Sequence, residues 1–224
     1  MPAASAASER FLITACLAFL AVAVFLQNFD DPLLHAVYRW THAQNAGFWR
    51  GVSLLGSGVT LTPVVAALVL ALIWRGQSMG AMALAFGWAA TSLTVEYLKW
   101  LLDRGRPGVT PWDFARGNAF PSGHAAQAFY VCISLGWEFA RLSARDGAKR
   151  FRRIVRPGIW AILLGIPVAV GYSRVALGVH WPSDIAAGWA LGLFFCALAQ
   201  VLRTSAGGPA APRARPERGT PGES

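Results

Sequence analysis

Charge is what this chain has least of: 14% of its 224 residues are Asp, Glu, Lys or Arg, against about 25% in an ordinary soluble domain. Most of the chain must therefore sit where charge is unwelcome. The charge present is lopsided, with 20 basic against 11 acidic residues and a net charge of +9. A basic balance suits nucleic acid only when it lies on a water-facing surface. Here the basic residues fall between long apolar runs, which points to membrane topology and away from a nucleic-acid partner. Cysteine is also scarce. Cys16, Cys132 and Cys196 lie in three different apolar runs, without the spacing of a metal site, and thiols so placed act as packing. No internal repeat is present.

Apolar residues are abundant instead, at 55%, with ten tryptophans. Six stretches approach or reach the roughly 20 residues that a helix needs to cross a bilayer: Phe11–Gln27, Val52–Trp74, Ser78–Leu102, Ser122–Arg141, Ile154–Tyr172 and Trp181–Leu202. The first follows Arg10 as a signal peptide would, but Gln27-Asn28-Phe29-Asp30 is no small-residue cleavage site, so it reads as an uncleaved anchor. Leu33, Leu34, Val37, Tyr38 and Trp40, set among polar residues in Asp30–Gly51, suit a helix lying in the membrane interface. His35 and His42 in that segment read as solvated. Ala83, Gly87 and Thr91 form a small-residue stripe that lets another helix approach the third span closely. Several tryptophans, among them Trp40, Trp74 and Trp100, fall near the ends of spans, where indoles favour the headgroup zone. The expected fold is an all-α integral membrane protein: a six-transmembrane-helix bundle with an interfacial helix between helices 1 and 2, occupying residues 1–203. Residues 204–224, rich in Pro, Gly, Ala and Arg, are expected to be a disordered cytoplasmic tail.

The basic residues orient the bundle. Arg10, Arg75, seven residues from Arg141 to Arg156 and four arginines from Arg203 onward fall on one side. Arg39, Arg50, Lys99, Arg104, Arg106, Arg116 and Arg174 fall on the other. Thirteen against seven puts both termini in the cytoplasm. The expected location is a bacterial inner membrane, with the second face extracytoplasmic.

Polar residues at span boundaries collect on that second face. Lys99 and Arg106-Pro107 end the third span, Pro121-Ser122-Gly123-His124 opens the fourth, and Ser173-Arg174 through His180 to Asp184 joins the fifth to the sixth. Lys99, Arg106 and Arg174 offer three positive charges to a group carrying close to two negative ones, and arginine forks match phosphate oxygens in bidentate fashion. Ser122 and Gly123 stand just ahead of an apolar helix, where free N–H groups favour an anion and glycine leaves room for it. His180 followed by Asp184 is the pairing of a nucleophile or base with an orienting carboxylate. Pro182 fits a first helical turn, so His180 can lie just outside the helix. The residues alone do not decide which of His124 and His180 attacks, although the Asp184 pairing favours His180. Glu96, Asp103, Arg104 and Arg116 lie beside these segments as candidates for supporting the site or for substrate entry.

Lys-x6-Arg-Pro, Pro-Ser-Gly-His and Ser-Arg-x5-His-x3-Asp, in this order and without a substitution, resemble the three-part signature of the type 2 phosphatidic acid phosphatases. The resemblance extends to the six-helix layout and so to most of the chain except the tail. It implies a metal-independent phosphatase of lipid phosphates or diphosphates that works through a phosphohistidine and uses no cofactor. His180 would be the nucleophile, Asp184 its partner and His124 the acid protonating the leaving oxygen. Lys99, Arg106, Ser122, Gly123 and Arg174 would bind phosphate. The partners are then a membrane lipid phosphate and the bilayer. The motifs do not separate hydrolysis from transfer to a lipid or sugar acceptor, nor phosphatidic acid, phosphatidylglycerol phosphate, undecaprenyl diphosphate and lipid A phosphate as substrates. A non-catalytic lipid-binding or transport protein would be expected to have lost His180 or Asp184. Soluble vanadium haloperoxidases share the residue set, but six membrane spans argue against that reading.

Overall fold

The computed structural model describes residues 14, 17, 18, 20–42, 46–113, 115, 117–145 and 149–206, and the side chains of 42, 142–156 and 204–206 lie outside that description. The described residues form helices and connections. Helical residues 20–26 run through a short 3-10 turn, Gln27–Phe29, into α1 (Asp30–His42). Then follow α2 (Ala46–Leu54), α3 (Gly58–Trp74), α4 (Ser78–Leu102), α5 (Gly123–Arg145), α6 (Lys149–Ala176) and α7 (Pro182–Ala206).

Among the described residues, four helical segments are long and apolar enough to cross a membrane: Ala46–Trp74, Ser78–Leu102, Pro157–Ala176 and Pro182–Arg203. They correspond to the second, third, fifth and sixth expected spans. Six of the seventeen residues of the first expected span lie outside the described residues, and the rest are not among these four segments. The fourth corresponds to α5, whose 23 residues would reach about 34 Å as helix. It is less apolar than the other four because it sits at the centre of the bundle, where Ala125, Ala126, Ala128, Tyr130 and Val131 are each at most 1% exposed. A helix surrounded by protein needs small residues more than lipid-facing ones. Large apolar side chains do face outward on the other helices, as at Val59, Leu93, Leu70 and Ile162, and Trp74 and Trp100 stand exposed at helix ends.

Small residues set the spacing around α5. A Cβ at Gly87 would run into Tyr130, whose hydroxyl donates to the Leu84 carbonyl at 2.8 Å. Ala83, Gly87 and Thr91 are all buried, so the stripe expected on this helix is where α4 meets α5. On α7, Cβ atoms at Gly188 and Gly192 would lie 2.6 Å from the Ser122 carbonyl and 2.5 Å from the Ala126 carbonyl. Gly136 of α5 lies against Trp160 of α6. Cys132 and Cys196 are buried inside the bundle, as expected, and Cys16 lies outside the described residues.

The segment expected to lie in the interface divides in two. Its first part is α1, which buries Asp30, Leu34 and Thr41 and seats Leu34 against Val175 and Ile185. Its last part, from Ala46, is helical and continues into the Ala46–Trp74 span, interrupted by a turn at Leu55–Ser57. Ser57 caps α3, accepting from the Thr60 N–H at 3.2 Å.

Candidate functional site

Each motif residue is placed by a local device. Arg174 lies in the last turn of α6, where its charge complements the helix dipole. The chain then reverses at Gly178, whose φ of 70° is left-handed. The Gly178 N–H bonds the Val175 carbonyl at 2.9 Å and the Val179 N–H bonds the Arg174 carbonyl at 3.2 Å. That is a Schellman cap with glycine in its usual place. It brings the chain back at once, so that His180 follows Arg174 at the same end of the bundle.

α7 begins at Pro182, which leaves His180 just outside the helix, and puts Asp184 at the third helical position. Asp184 Oδ2 accepts the Trp181 N–H at 2.9 Å, half of a capping box, and lies 3.3 Å from His180 Nδ1. His180 is 3% exposed and Asp184 0%. The other carboxylate oxygen, Oδ1, accepts from Arg104 at 2.7 Å.

The second motif meets the third through the backbone. The Ser122 N–H donates to the Asp184 carbonyl at 3.0 Å, and Gly188 keeps α7 close enough for this contact. Ser122 caps α5 through its carbonyl, which accepts the Ala126 N–H at 3.1 Å. Its hydroxyl is buried without a hydrogen-bond partner among the described residues. The Lys99 ammonium lies over this helix start, 4.0 Å from where a Gly123 Cβ would be, and pairs with Glu96 at 3.1 Å. His124 is half-buried, packs against Gly56, and lies within electrostatic reach of Arg174, His180, Asp113 and Lys99.

Arg174 is 3% exposed; its Nη1 donates to Ser53 Oγ at 2.6 Å and Asp113 Oδ2 at 2.7 Å, while its buried Nε has no partner among the described residues. Arg106 donates to the carbonyls of Gly117 (2.9 Å), Val179 (2.5 Å) and Asn118 (3.3 Å), which fixes it beside His180. Burial, then the Arg174 charge, lower the Arg106 pKa, and Asp184 opposes them. Burial pushes the His180 pKa well below its ordinary value; Arg174, Arg106 and Lys99 add to this, and the nearby Ala119 carbonyl opposes it. The surroundings of His180 thus favour the neutral ring. The three cations surround a point that favours an anion.

The structure thus brings Lys99, Arg106, Ser122, Gly123, His124, Arg174, His180 and Asp184 to one end of the bundle. Of the supporting candidates, Arg104 joins the site directly. Asp103 caps α4 in a left-handed conformation and accepts from Asn118 at 2.8 Å, Glu96 is exposed beside Lys99, and Arg116 lies outside the described residues. Sequence reasoning missed Asp30, Ser53, Asp113, Asn118 and Ser183. Asp30 and Asp113 hold Arg104 and Arg174 from 74 and 61 residues away, a range over which helical spacing gives no signal. Among the described residues no group of three His, Cys, Asp or Glu side chains could hold a metal ion.

Known proteins resemble this chain in sequence and in fold. The chain is similar to phosphatidylglycerophosphatase B of Bacillus subtilis, 27% identical over 144 residues that make up 64% of this chain and 68% of the relative. It is also similar to an undecaprenyl-diphosphatase of Sulfolobus acidocaldarius, 60% identical over 35 residues, 15% of this chain and 17% of that one. The crystal structure of a transmembrane PAP2 type phosphatidylglycerolphosphate phosphatase from Bacillus subtilis shares the fold, with a TM-score of 0.71, 24% identity, and coverage of 87% of this chain and 96% of that one. The model of the PAP2 superfamily matches residues 80–206, more than half of the chain and all three motifs. With its bilayer-length helices, this multi-pass membrane protein belongs to the PAP2 superfamily.

Proposed function

We propose that the chain is a lipid phosphate phosphatase that hydrolyses a phosphomonoester or diphosphate through a phosphohistidine. The observation that carries this reading is the pair of buried, unpartnered polar groups, Ser122 Oγ and Arg174 Nε, facing the same end of the bundle as a buried histidine backed by a buried carboxylate. In the first step His180 Nε2 attacks phosphorus, with Asp184 holding the proton on Nδ1. The P–O bond to the lipid breaks, and His124 gives its proton to the departing oxygen. In the second step water attacks the phosphohistidine, His124 takes the water proton, and the P–N bond breaks to release phosphate. Lys99, Arg106, Arg174, Ser122 and the backbone at Gly123 bind the phosphoryl oxygens throughout, and their charges replace a metal ion's.

The lipid half of the substrate fits an apolar groove of about 160 Å³ beside the site, between Leu20, Leu98, Phe120, Pro121, Leu191 and Phe194. Leu98 precedes Lys99 and Pro121 precedes Ser122, so a chain lying there emerges next to the phosphate-binding groups. The named activities of the relatives make phosphatidylglycerol phosphate and undecaprenyl diphosphate the first substrates to try. On the expectation of six crossings both termini lie on one side of the membrane, and the excess of basic residues on that side argues that it is cytoplasmic and the site extracytoplasmic.

The test separates the two histidines. The need for an acid scales with the basicity of the leaving group, and acid catalysis typically contributes about 10²–10⁴-fold. His124→Ala should lose most activity on a lipid alkyl monophosphate, keep a measurable share on p-nitrophenyl phosphate, and still form a phosphoenzyme. His180→Ala should be inactive on both, with no phosphoenzyme. Phosphohistidine in His180→Ala but not in His124→Ala would invert the roles.

A further inference from the structure

Asp30, the first residue of α1, belongs to none of the three motifs, yet its carboxylate is 4% exposed and fully engaged. Oδ1 accepts the Ser183 N–H at 2.8 Å, and Oδ2 accepts the Ser183 hydroxyl and Arg104 Nη2, the latter at 2.6 Å. Arg104 Nη1 in turn donates to Ser183 Oγ and to Asp184 Oδ1, both at 2.7 Å. Its guanidinium lies against the rings of Phe120 and Trp181, 5.9 and 5.6 Å from their centroids. One arginine thus bridges two buried carboxylates, and only one of them, Asp184, touches a histidine of the site.

The bridge has a geometric consequence. A guanidinium and a single carboxylate prefer a two-pronged fork. Were Arg104 free to turn both Nη groups onto Asp184, it would draw Oδ2 as well as Oδ1 and take Oδ2 away from His180 Nδ1. Asp30 occupies the second prong. Arg104 can then hold Asp184 by Oδ1 alone, which leaves Oδ2 for the Trp181 N–H and the His180 ring.

We propose that Asp30 is a positioning residue: by holding one arm of Arg104 it makes that arginine grip Asp184 by a single oxygen, so that α1 is part of the catalytic assembly. This rests on the reading of Asp184 as the partner of the attacking His180. The groups that Asp30 holds, Ser183 and Arg104, are outside the proposed phosphate-binding set, so the bridge acts on the rate of the covalent step and not on phosphate binding.

The test is a double-mutant cycle in kcat and KM for a lipid phosphate in detergent micelles. Asp30→Asn and Arg104→Gln should each lower kcat by about 10–100-fold, as loss of a partner that orients a catalytic ligand does elsewhere, with KM within about threefold. The double variant should be no slower than the worse single one, because both act through the same contact. A merely structural tether from α1 to α7 would lower the amount of active protein and leave its rate per site intact, so rates are normalised to the phosphoenzyme burst amplitude. Asp30→Asn within twofold of wild type, or single losses that multiply in the double variant, would overturn the proposal. If Asp30→Asn does not fold, Arg104→Lys decides: it keeps the charge but has no fork, and kcat equal to wild type would refute the bridge. Absence of phosphohistidine in the wild type would instead remove the reading of His180; kcat would then be expressed per folded protein, and the coupling would still be measured.

Discussion

Replacing Asp184 by asparagine is the sharpest perturbation that the site offers, because it changes one oxygen to nitrogen in a fully buried carboxylate. In the native site Oδ2 takes the Trp181 N–H at 2.9 Å and faces His180 Nδ1 at 3.3 Å, while Oδ1 takes Arg104 at 2.7 Å. All three are donor positions, and an amide has only one acceptor to share among them. If its oxygen turned to Trp181 and His180, its NH₂ would meet the Arg104 guanidinium donor to donor. The charged hydrogen bond to Arg104 is the stronger, so the oxygen should turn to Arg104 and the NH₂ to His180, at the expense of the Trp181 N–H, which loses its acceptor. Nδ1 of His180 then becomes the acceptor, the proton moves to Nε2, and the nitrogen that would attack phosphorus has no free lone pair. The equivalent amide change beside a catalytic histidine costs on the order of 10⁴ in kcat, or about 5.5 kcal/mol of barrier. Single-turnover formation of the phosphoenzyme from a radiolabelled lipid phosphate reads this step alone, and thermal unfolding in detergent checks that the variant is folded. A folded Asp184→Asn variant that forms phosphoenzyme within tenfold of the wild-type rate would refute the tautomer argument.

Burial depresses the pKa of His180 in the folded protein, so below about pH 6.5 the unfolded chain binds a proton that the folded one refuses. Its contribution is present above that pH and lost as pH falls; His180→Asn should flatten the drop in thermal stability between pH 6.5 and about 5 by up to about 1.4 kcal/mol per pH unit, and equal slopes would contradict this. Activity should survive EDTA, since three cationic side chains already face the site; a large loss restored by added metal would overturn metal independence. Gly188→Ala places a Cβ 2.6 Å from the backbone carbonyl of Ser122, and should cost about 1–3 kcal/mol of stability together with much of kcat. Gly87→Ala should cost stability alone, as measured by unfolding and by rate per active site, because the Tyr130 contact lies away from the site. A reporter fluorescent only in the cytoplasm should work when fused after Leu202, and an externally active one when inserted near Thr110; the reverse pattern would put the site inside.

The motif end of the bundle was largely legible in the sequence because each motif is local. Arg174, Gly178 and His180 lie within one helix cap, Pro182 and Asp184 within one helix start, and Lys99 and Asp103 within one helix end, so spacing along the chain encodes their geometry. The fold was legible where spans meet lipid and less so at α5, whose burial inside the bundle relieves it of the need for apolar residues. Nor did the sequence mark the partners that fix the cations. Asp30, Ser53 and Asp113 are ordinary residues in unremarkable surroundings, and their roles depend on helices meeting across long stretches of chain. Arg104 stood out only by adjacency to a motif, and nothing local said that its partners are Asp30 and Asp184.

The two ends of the bundle use buried charge differently, and the contrast bears on what the site is for. Away from the motifs, Arg203 at the end of α7 donates to Glu138 of α5 and to Gln77 at 2.8 Å, while Arg141 donates to Glu138 at 2.7 Å and to Gln200. Gly80 leaves the space that the Arg203 guanidinium occupies. That cluster ties α5 and α7 to the start of α4, and its polar groups satisfy one another. At the motif end Arg104 and Asp184 are held just as firmly, but Ser122 Oγ and Arg174 Nε are buried without partners among the described residues. A buried donor left unpaired costs about 1–3 kcal/mol. A bundle that satisfies its polar groups at one end can do so at the other, and a serine at a helix start ordinarily turns its hydroxyl to the helix N–H groups. Here it does not. The unpaired donors sit beside three cations and the free N–H groups that open α5, so the partner they fit is an acceptor rich in oxygen and in negative charge. A phosphoryl group meets both requirements, and it meets them in front of His180, whose Nδ1 faces the Asp184 carboxylate.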